Sequence, residues 1–176
     1  MGKVSEPECA MLFIGILYAD SAVLNHVQPM LEREFGEALL VSPPVQWEHS
    51  GYYRDELGWP ILRQFVFYKN AIDPGALAEI KIRTNEIEDY SSADNRRRVN
   101  LDPGYLTLSK VVLASTKNYA HRLYLGKGIY GELTLYYQDG MFKPHLFTYR
   151  DYQEKSCVDM FMNARALFRQ LSERTG

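Results

Sequence analysis

The chain predicts a single α+β domain on a mainly antiparallel sheet, and three observations carry that prediction. Short apolar runs bounded by turn residues recur along it, as strands do. Two stretches of helical spacing fall among the first four of these runs, giving the order β-α-β-β-α-β of the ferredoxin-like split arrangement. Further strands then follow one another through hairpin turns, which extends an antiparallel sheet before an amphipathic helix closes the chain. With 176 residues, 46 % hydrophobic and 24 % charged, the composition is that of an ordinary globular domain.

Cys9–Ala19 (CAMLFIGILYA) is continuous, apolar and short, as expected of a central strand covered on both faces. Asp20 and Ser21 offer an N-cap. Val23, Val27, Leu31 and Phe35 then recur at helical spacing until Gly36, with Pro29 expected to kink the helix. Ala38–Val41 forms a second strand, ended by Pro43-Pro44. Residues 42–60 read as a long aromatic-rich loop of the kind that carries function. Ile61–Tyr68 is the third strand, and Asp73-Pro74 starts a second helix marked by Leu77, Ile80, Thr84 and Ile87. Val99–Leu101 and Lys110–Thr116 are strands on either side of a turn at Asp102-Pro103-Gly104. Arg122–Leu125 and Ile129–Tyr137 flank Gly126-Lys127-Gly128, and Asp139-Gly140 signals a hairpin into Met141–Phe147. Cys157, Met160, Phe161, Ala164, Leu167, Phe168 and Leu171 mark the closing helix.

No apolar run reaches the ~20 residues that cross a bilayer. The first long one follows Glu6 and Glu8 rather than a basic stretch, so neither a span nor a signal peptide is expected. Cys9 and Cys157 offer no disulfide framework, which suits a reducing, cytoplasmic setting. The net charge is −2, yet residues 96–127 hold 7 Lys/Arg against 1 Asp/Glu. That segment either draws in an anion or pairs with the acidic first half of the same domain.

Catalytic signatures are missing. The sequence has no G-x-x-x-x-G-K-[ST], no G-x-G-x-x-G after a strand and no G-x-S-x-G. His26, His49, His121 and His145 are scattered without metal-ligand spacing, and no cofactor is indicated. Three stretches instead concentrate polar chemistry. In the first, strand alternation puts Arg96, Arg98, Asn100 and Asp102 on one face, with Arg97, Val99 and Leu101 on the other. Guanidiniums suit phosphate or carboxylate, and Asp102 can orient one of them or accept a ligand hydroxyl. The second, Ser115–Arg122, gathers Lys117, His121 and Arg122 at a strand's C-terminal end. In the third, alternation sets Ile129, Gly131, Leu133, Leu135 and Tyr137 on a core face and Tyr130, Glu132, Thr134 and Tyr136 on the other. Thr148-Tyr149-Arg150-Asp151-Tyr152 is placed to close over that second face, and Tyr52, Tyr53 and Glu56 add polar and aromatic groups from the long loop.

The stretches R-R-V-N-L-D-P-G-Y (Arg97–Tyr105), L-A-S-T-K-x-x-x-H-R (Leu113–Arg122), G-I-Y-G-E-L-T-L (Gly128–Leu135) and T-Y-R-D-Y (Thr148–Tyr152) together resemble a prokaryotic family, domain of unknown function 4416. The similarity runs over nearly the whole chain. It implies no established activity, although some members carry the label of GTP-binding protein. The P-loop and the N-K-x-D guanine-reading motif behind such a label are both missing from this sequence.

Three functional readings follow. The first is binding of, or action on, a small anionic, phosphorylated metabolite or nucleotide. Arg98, Asn100, Lys117, Arg122, Tyr130, Tyr149 and Tyr53 would hold it, and His121, Glu132 and Asp102 would be the acid/base candidates. The second is an RNA-binding or regulatory module using aromatic and basic surface. The third is a homo-oligomeric interaction domain whose tyrosines form an interface. No membrane partner is expected.

Overall fold

A computed structural model of the chain describes residues 2–49, 51–94 and 96–175, with residues 52, 174 and 175 described for their backbone alone. In chain order the elements are β1 (Ala10–Tyr18), α1 (Ser21–Phe35), β2 (Ala38–Val41), β3 (Val45–Gln46), α2 (Arg54–Leu57), β4 (Leu62–Ile72) and α3 (Leu77–Tyr90). They continue as β5 (Val99–Leu106), β6 (Lys110–Ser115), β7 (Leu123–Gly126), β8 (Ile129–Gln138), β9 (Met141–Pro144), α4 (Arg150–Gln153) and α5 (Lys155–Thr175). The nine strands form one sheet in the order β2-β4-β1-β5-β6-β8-β7, with β3 beside β4 and β9 beside β8. Every pairing is antiparallel. β4 lies between β1 and β2, and β1 lies between β4 and β5, so α1 and α3 each connect two strands separated by a third. Those are two interleaved split β-α-β units, the arrangement expected of the first six main elements.

Alternation along the strands divides the core in two. Leu12, Ile14, Ile16 and Tyr18 of β1 pack with Val23, Val27 and Leu31 of α1 and with Ile80 and Ile87 of α3. Met11 and Phe13 turn to the other face, where Phe65, Phe67, Leu113 and Leu135 meet Phe161, Ala164 and Phe168 of α5. Each face has its own helical cover, which is why β1 reads as an unbroken apolar run. No described helix is long and apolar enough to cross a membrane.

α1 continues through Pro29, whose ring is exposed; the carbonyl it leaves without a partner belongs to exposed Asn25, where water can meet it. Three local expectations are corrected. Asp102-Pro103-Gly104 is not a turn but the middle of β5, and the reversal comes at Thr107–Lys110 instead. The β9 strand stops at Pro144, leaving Phe147 in a loop.

The third correction concerns β8. Val111 pairs with Leu135 and Val112 with Leu133, so Thr134 is an extra residue in a β-bulge. A one-residue insertion inverts the alternation beyond it. Leu135 therefore joins Glu132 on the α5 face, while Ile129 packs against Leu77 and Ala78 of α3 and Leu133 is left exposed.

Candidate functional site

The site arises where the sheet splits. β5 pairs with β6 only through Gly104, Tyr105 and Leu106, matched to Leu113, Val112 and Val111. Gly104 permits that contact, since a Cβ there would stand 2.5 Å from both the Phe13 ring and the Val112 carbonyl oxygen. Toward its start β5 stays on β1, while β6 continues only beside β8 through Ala114 and Ser115. Pro103, which has no N–H to donate, stands where the β5–β6 ladder ends.

The strand edge exposed by the split is satisfied from α3. Lys81 Nζ donates to the Leu101 carbonyl at 2.7 Å, and the Leu101 N–H donates to Glu88 Oε1 at 2.5 Å. Lys81, Thr84 and Glu88 recur at helical spacing on the buried stripe of α3, so two of them replace a missing strand partner. The result is an open cleft of about 790 Å³. Lys81, Glu88, Asn100 and Asp102 stand on the β5 side, Ser115, Lys117, Arg122 and Glu132 on the β6–β8 side, and Trp47, Tyr53 and 147–152 across the top.

Ion pairs organise these walls. Arg122, 7 % exposed, donates from Nε to Glu132 Oε2 at 2.6 Å, from Nη1 to Ser115 Oγ and the Lys117 carbonyl, and from Nη2 to Tyr149 Oη at 2.6 Å. His121 Nε2 lies 3.1 Å from the same Glu132 oxygen; a carboxylate only accepts, which puts the proton on Nε2. The imidazole is stacked on Phe147 at 4.5 Å. Arg97 closes one end, forked onto both oxygens of Glu56 at 2.6 and 2.7 Å and reaching Glu88 and Asn100.

Arg63 is also buried. Its Nη2 donates to Asp151 Oδ2 at 2.6 Å, an oxygen that also accepts from Trp47 Nε1. Its Nη1 stands 3.6 Å from Asp102 Oδ2, beyond hydrogen-bond range. The Nε and Nη1 donors, like the Tyr152 hydroxyl beside them, are buried without a hydrogen-bond partner among the described residues. Gly15 makes the room for this group: a Cβ there would lie 2.7 Å from Arg63 Nη1 and 3.1 Å from Tyr152 Oη. Burial draws the guanidinium's pKa down, but Asp151, Tyr152 and Asp102 together outweigh it and the net shift is upward, so Arg63 is a fixed charge. Burial raises Glu88, against the attraction of Lys81. Burial and then Glu132 raise Tyr149, and burial and then Asp102 raise Tyr53, which keeps both phenols protonated at neutral pH.

Of the residues the sequence singled out, Asn100, Asp102, Lys117, Arg122, Glu132, Tyr53 and Tyr149 line this one cleft, and His121 adjoins it through Glu132. Two lie elsewhere. Arg98 is exposed and bonded to Asp20 at 2.8 Å. The expected alternation fails there because β5 begins only at Val99, and Arg97 turns inward instead. Tyr130 packs on Tyr124, ring centroids 5.4 Å apart, outside the cleft. The side chain of Tyr52 lies outside the described residues. The basic segment pairs largely within the domain: Arg97 with Glu56 and Glu88, Arg98 with Asp20, Arg122 with Glu132 and Lys127 with Glu79.

Sequence reasoning passed over Arg63, Lys81, Glu88 and Trp47 as cleft-forming groups, while the stretch Thr148–Tyr152 that it set over the candidate face does line the cleft. A signal existed: Arg63 sits two residues before Phe65 and four before Phe67, on the core face of its strand. Among the described residues no group of three or more His, Cys, Asp or Glu side chains could hold a metal ion.

The model of one protein family, described as Domain of unknown function (DUF4416), matches residues 8–168 of the chain. No curated protein matches it, and neither does any solved structure.

Proposed function

We propose that this chain, which belongs to the DUF4416 family, binds a small anionic, phosphate-bearing metabolite or nucleotide in the cleft between β5 and β6. The observation that carries the reading is Arg63: a permanent charge among the residues that line the cleft, 5 % exposed, whose buried Nε and Nη1 have no hydrogen-bond partner among the described residues. Buried donors without partners are rare in native proteins, and each calls for a partner or a use. The surroundings fit a ligand of this size. A cleft of about 790 Å³ lies within the roughly 300–1,000 Å³ typical of small-molecule sites. Lys117 and Arg150 add cations at the exposed rim, and Phe147 and Tyr149 offer apolar surface there.

Arg122 takes a different part from that expected of it. Four of its five N–H donors go to Glu132, Ser115, Lys117 and Tyr149, so it positions Glu132 and the Tyr149 hydroxyl before it meets any anion. With His121 on the same carboxylate oxygen, Glu132 is the acid/base candidate should the bound ligand also react.

Thermal-shift screening against phosphorylated metabolites and nucleotides, beside salt-titrated binding of single-stranded RNA, tests the proposal. A ligand at ~100 times its dissociation constant stabilises the fold by ~2.7 kcal/mol, a readily visible shift. The expected result is such a hit, weakened in Lys117→Glu. RNA binding that falls by orders of magnitude between about 50 and 200 mM salt, with no small-ligand hit, overturns it in favour of a nucleic-acid module. Silence in both assays with a concentration-dependent mass moves the reading to the edge strand β7, where Leu123, Tyr124 and Leu125 are exposed.

A further inference from the structure

Resting on that reading, we infer that the cleft selects a phosphate carried on a hydroxylated skeleton, such as a sugar phosphate or the ribose phosphate of a nucleotide. Arg63 and Tyr152 would take the anionic group, and Asp102 a neighbouring hydroxyl.

The inference begins from the company Arg63 keeps. One guanidinium faces two carboxylates, Asp151 at 2.6 Å and Asp102 at 3.6 Å. Asp151 is only 7 % exposed, and its Oδ2 accepts from both Arg63 and Trp47. Asp102 is the more open of the two, its side chain 29 % exposed. Its Oδ2 accepts one hydrogen bond from Asn100 Nδ2 at 2.7 Å, while Lys81 Nζ stands 3.8 Å from Oδ1. A carboxylate has about four acceptor sites, so Asp102 retains capacity toward the cleft it lines.

A bare anion brought to Arg63 therefore meets a cation already shared by two carboxylates, and Asp102 repels it. A ligand that presents a donor next to its anion turns that repulsion into a hydrogen bond. The arrangement gives specificity through a penalty on the wrong ligand as much as a gain on the right one. On the anion's side stand Arg63 Nε, Arg63 Nη1 and Tyr152 Oη, three buried donors packed over Gly15 with no hydrogen-bond partner among the described residues. A phosphate monoester brings three free oxygens to them, where a carboxylate brings two.

Calorimetric titration with ribose 5-phosphate, glycerol 3-phosphate and propyl phosphate tests this directly. The first two carry hydroxyls near the phosphate and the third does not. The expected result is that both hydroxylated probes bind at least about tenfold more tightly than propyl phosphate. Asp102→Asn should narrow that ratio by strengthening propyl phosphate binding. Tyr152→Phe should weaken all probes that bind, without loss of fold, because its hydroxyl has no partner to lose. Equal binding of propyl phosphate and the hydroxylated probes, or an unchanged ratio in Asp102→Asn, overturns the hydroxyl assignment and leaves the phosphate-binding reading standing. No binding by any of the three overturns this inference, and the thermal-shift screen then decides whether the phosphate-binding reading falls with it. Unaltered affinities in Tyr152→Phe remove that hydroxyl from the anion's donors.

Discussion

Tyr152 and Glu132 are opposite cases of a buried polar side chain, and substitution separates them. The Tyr152 hydroxyl is buried without a partner, so Tyr152→Phe removes an unsatisfied group and should stabilise the empty protein by about 1 kcal/mol in chemical denaturation. A loss of stability would show that the hydroxyl is satisfied in solution. Glu132, 3 % exposed, holds Arg122 and His121 on one oxygen. Glu132→Ala leaves the Arg122 guanidinium buried and without its counter-ion, which should cost about 3–5 kcal/mol. Combining it with Arg122→Ala should cost well below the sum, and full additivity would deny the coupling. Both members of this pair were legible in the sequence, Arg122 from the polar cluster that ends its stretch and Glu132 from the polar face that alternation gives its strand. Arg63 was passed over although its spacing to Phe65 and Phe67 puts it on the core face of β4, because a lone arginine in an apolar strand reads equally as an outward-facing residue.

The element that keeps the cleft open is α3, through side chains that stand in for a strand. Glu88 accepts from the Leu101 amide inside the protein, and burial raises its pKa above the ordinary 4.5. A carboxyl raised in this way favours the folded state most below its unfolded pKa. That contribution is lost as pH rises through the raised folded value. Wild-type stability, measured relative to Glu88→Gln by urea denaturation, should therefore decline as pH rises from 4.5 through that raised value. Parallel profiles would show that Glu88 titrates alike in both states. Elements were well legible wherever local pattern decides, as in α1, α5 and the Asp139-Gly140 hairpin, whose two residues both take positive φ. They were misread where tertiary contact decides. Asp102-Pro103-Gly104 has turn chemistry, yet β1 on one side and the Phe13 contact at Gly104 draw it straight. The bulge at Thr134 leaves no trace in composition, and it is what sets Glu132 and Leu135 on the same face.

At the scale of the molecule, the class and the split β-α-β order followed from the alternation of apolar runs and helical spacings. The position of the cleft did not, because it depends on where two strands stop pairing. The core on the α5 side is centred on Phe161, fully buried against Phe13, Phe65 and Phe67 at 5.0–5.7 Å between ring centroids. Phe161→Ala should cost about 3–5 kcal/mol, and a change near zero would place α5 off the sheet in solution. The β5–β6 seam has a mechanical consequence. With only the residues from Gly104 to Leu106 paired across it, the sheet is two stiff panels on a short hinge, and the cleft is the angle between them. Slow breathing about that line would open and narrow the angle without breaking either panel. In hydrogen–deuterium exchange, amides bordering the hinge should then exchange faster than those of β1, and a molecule lodged in the angle should act as a wedge that slows both panels at once.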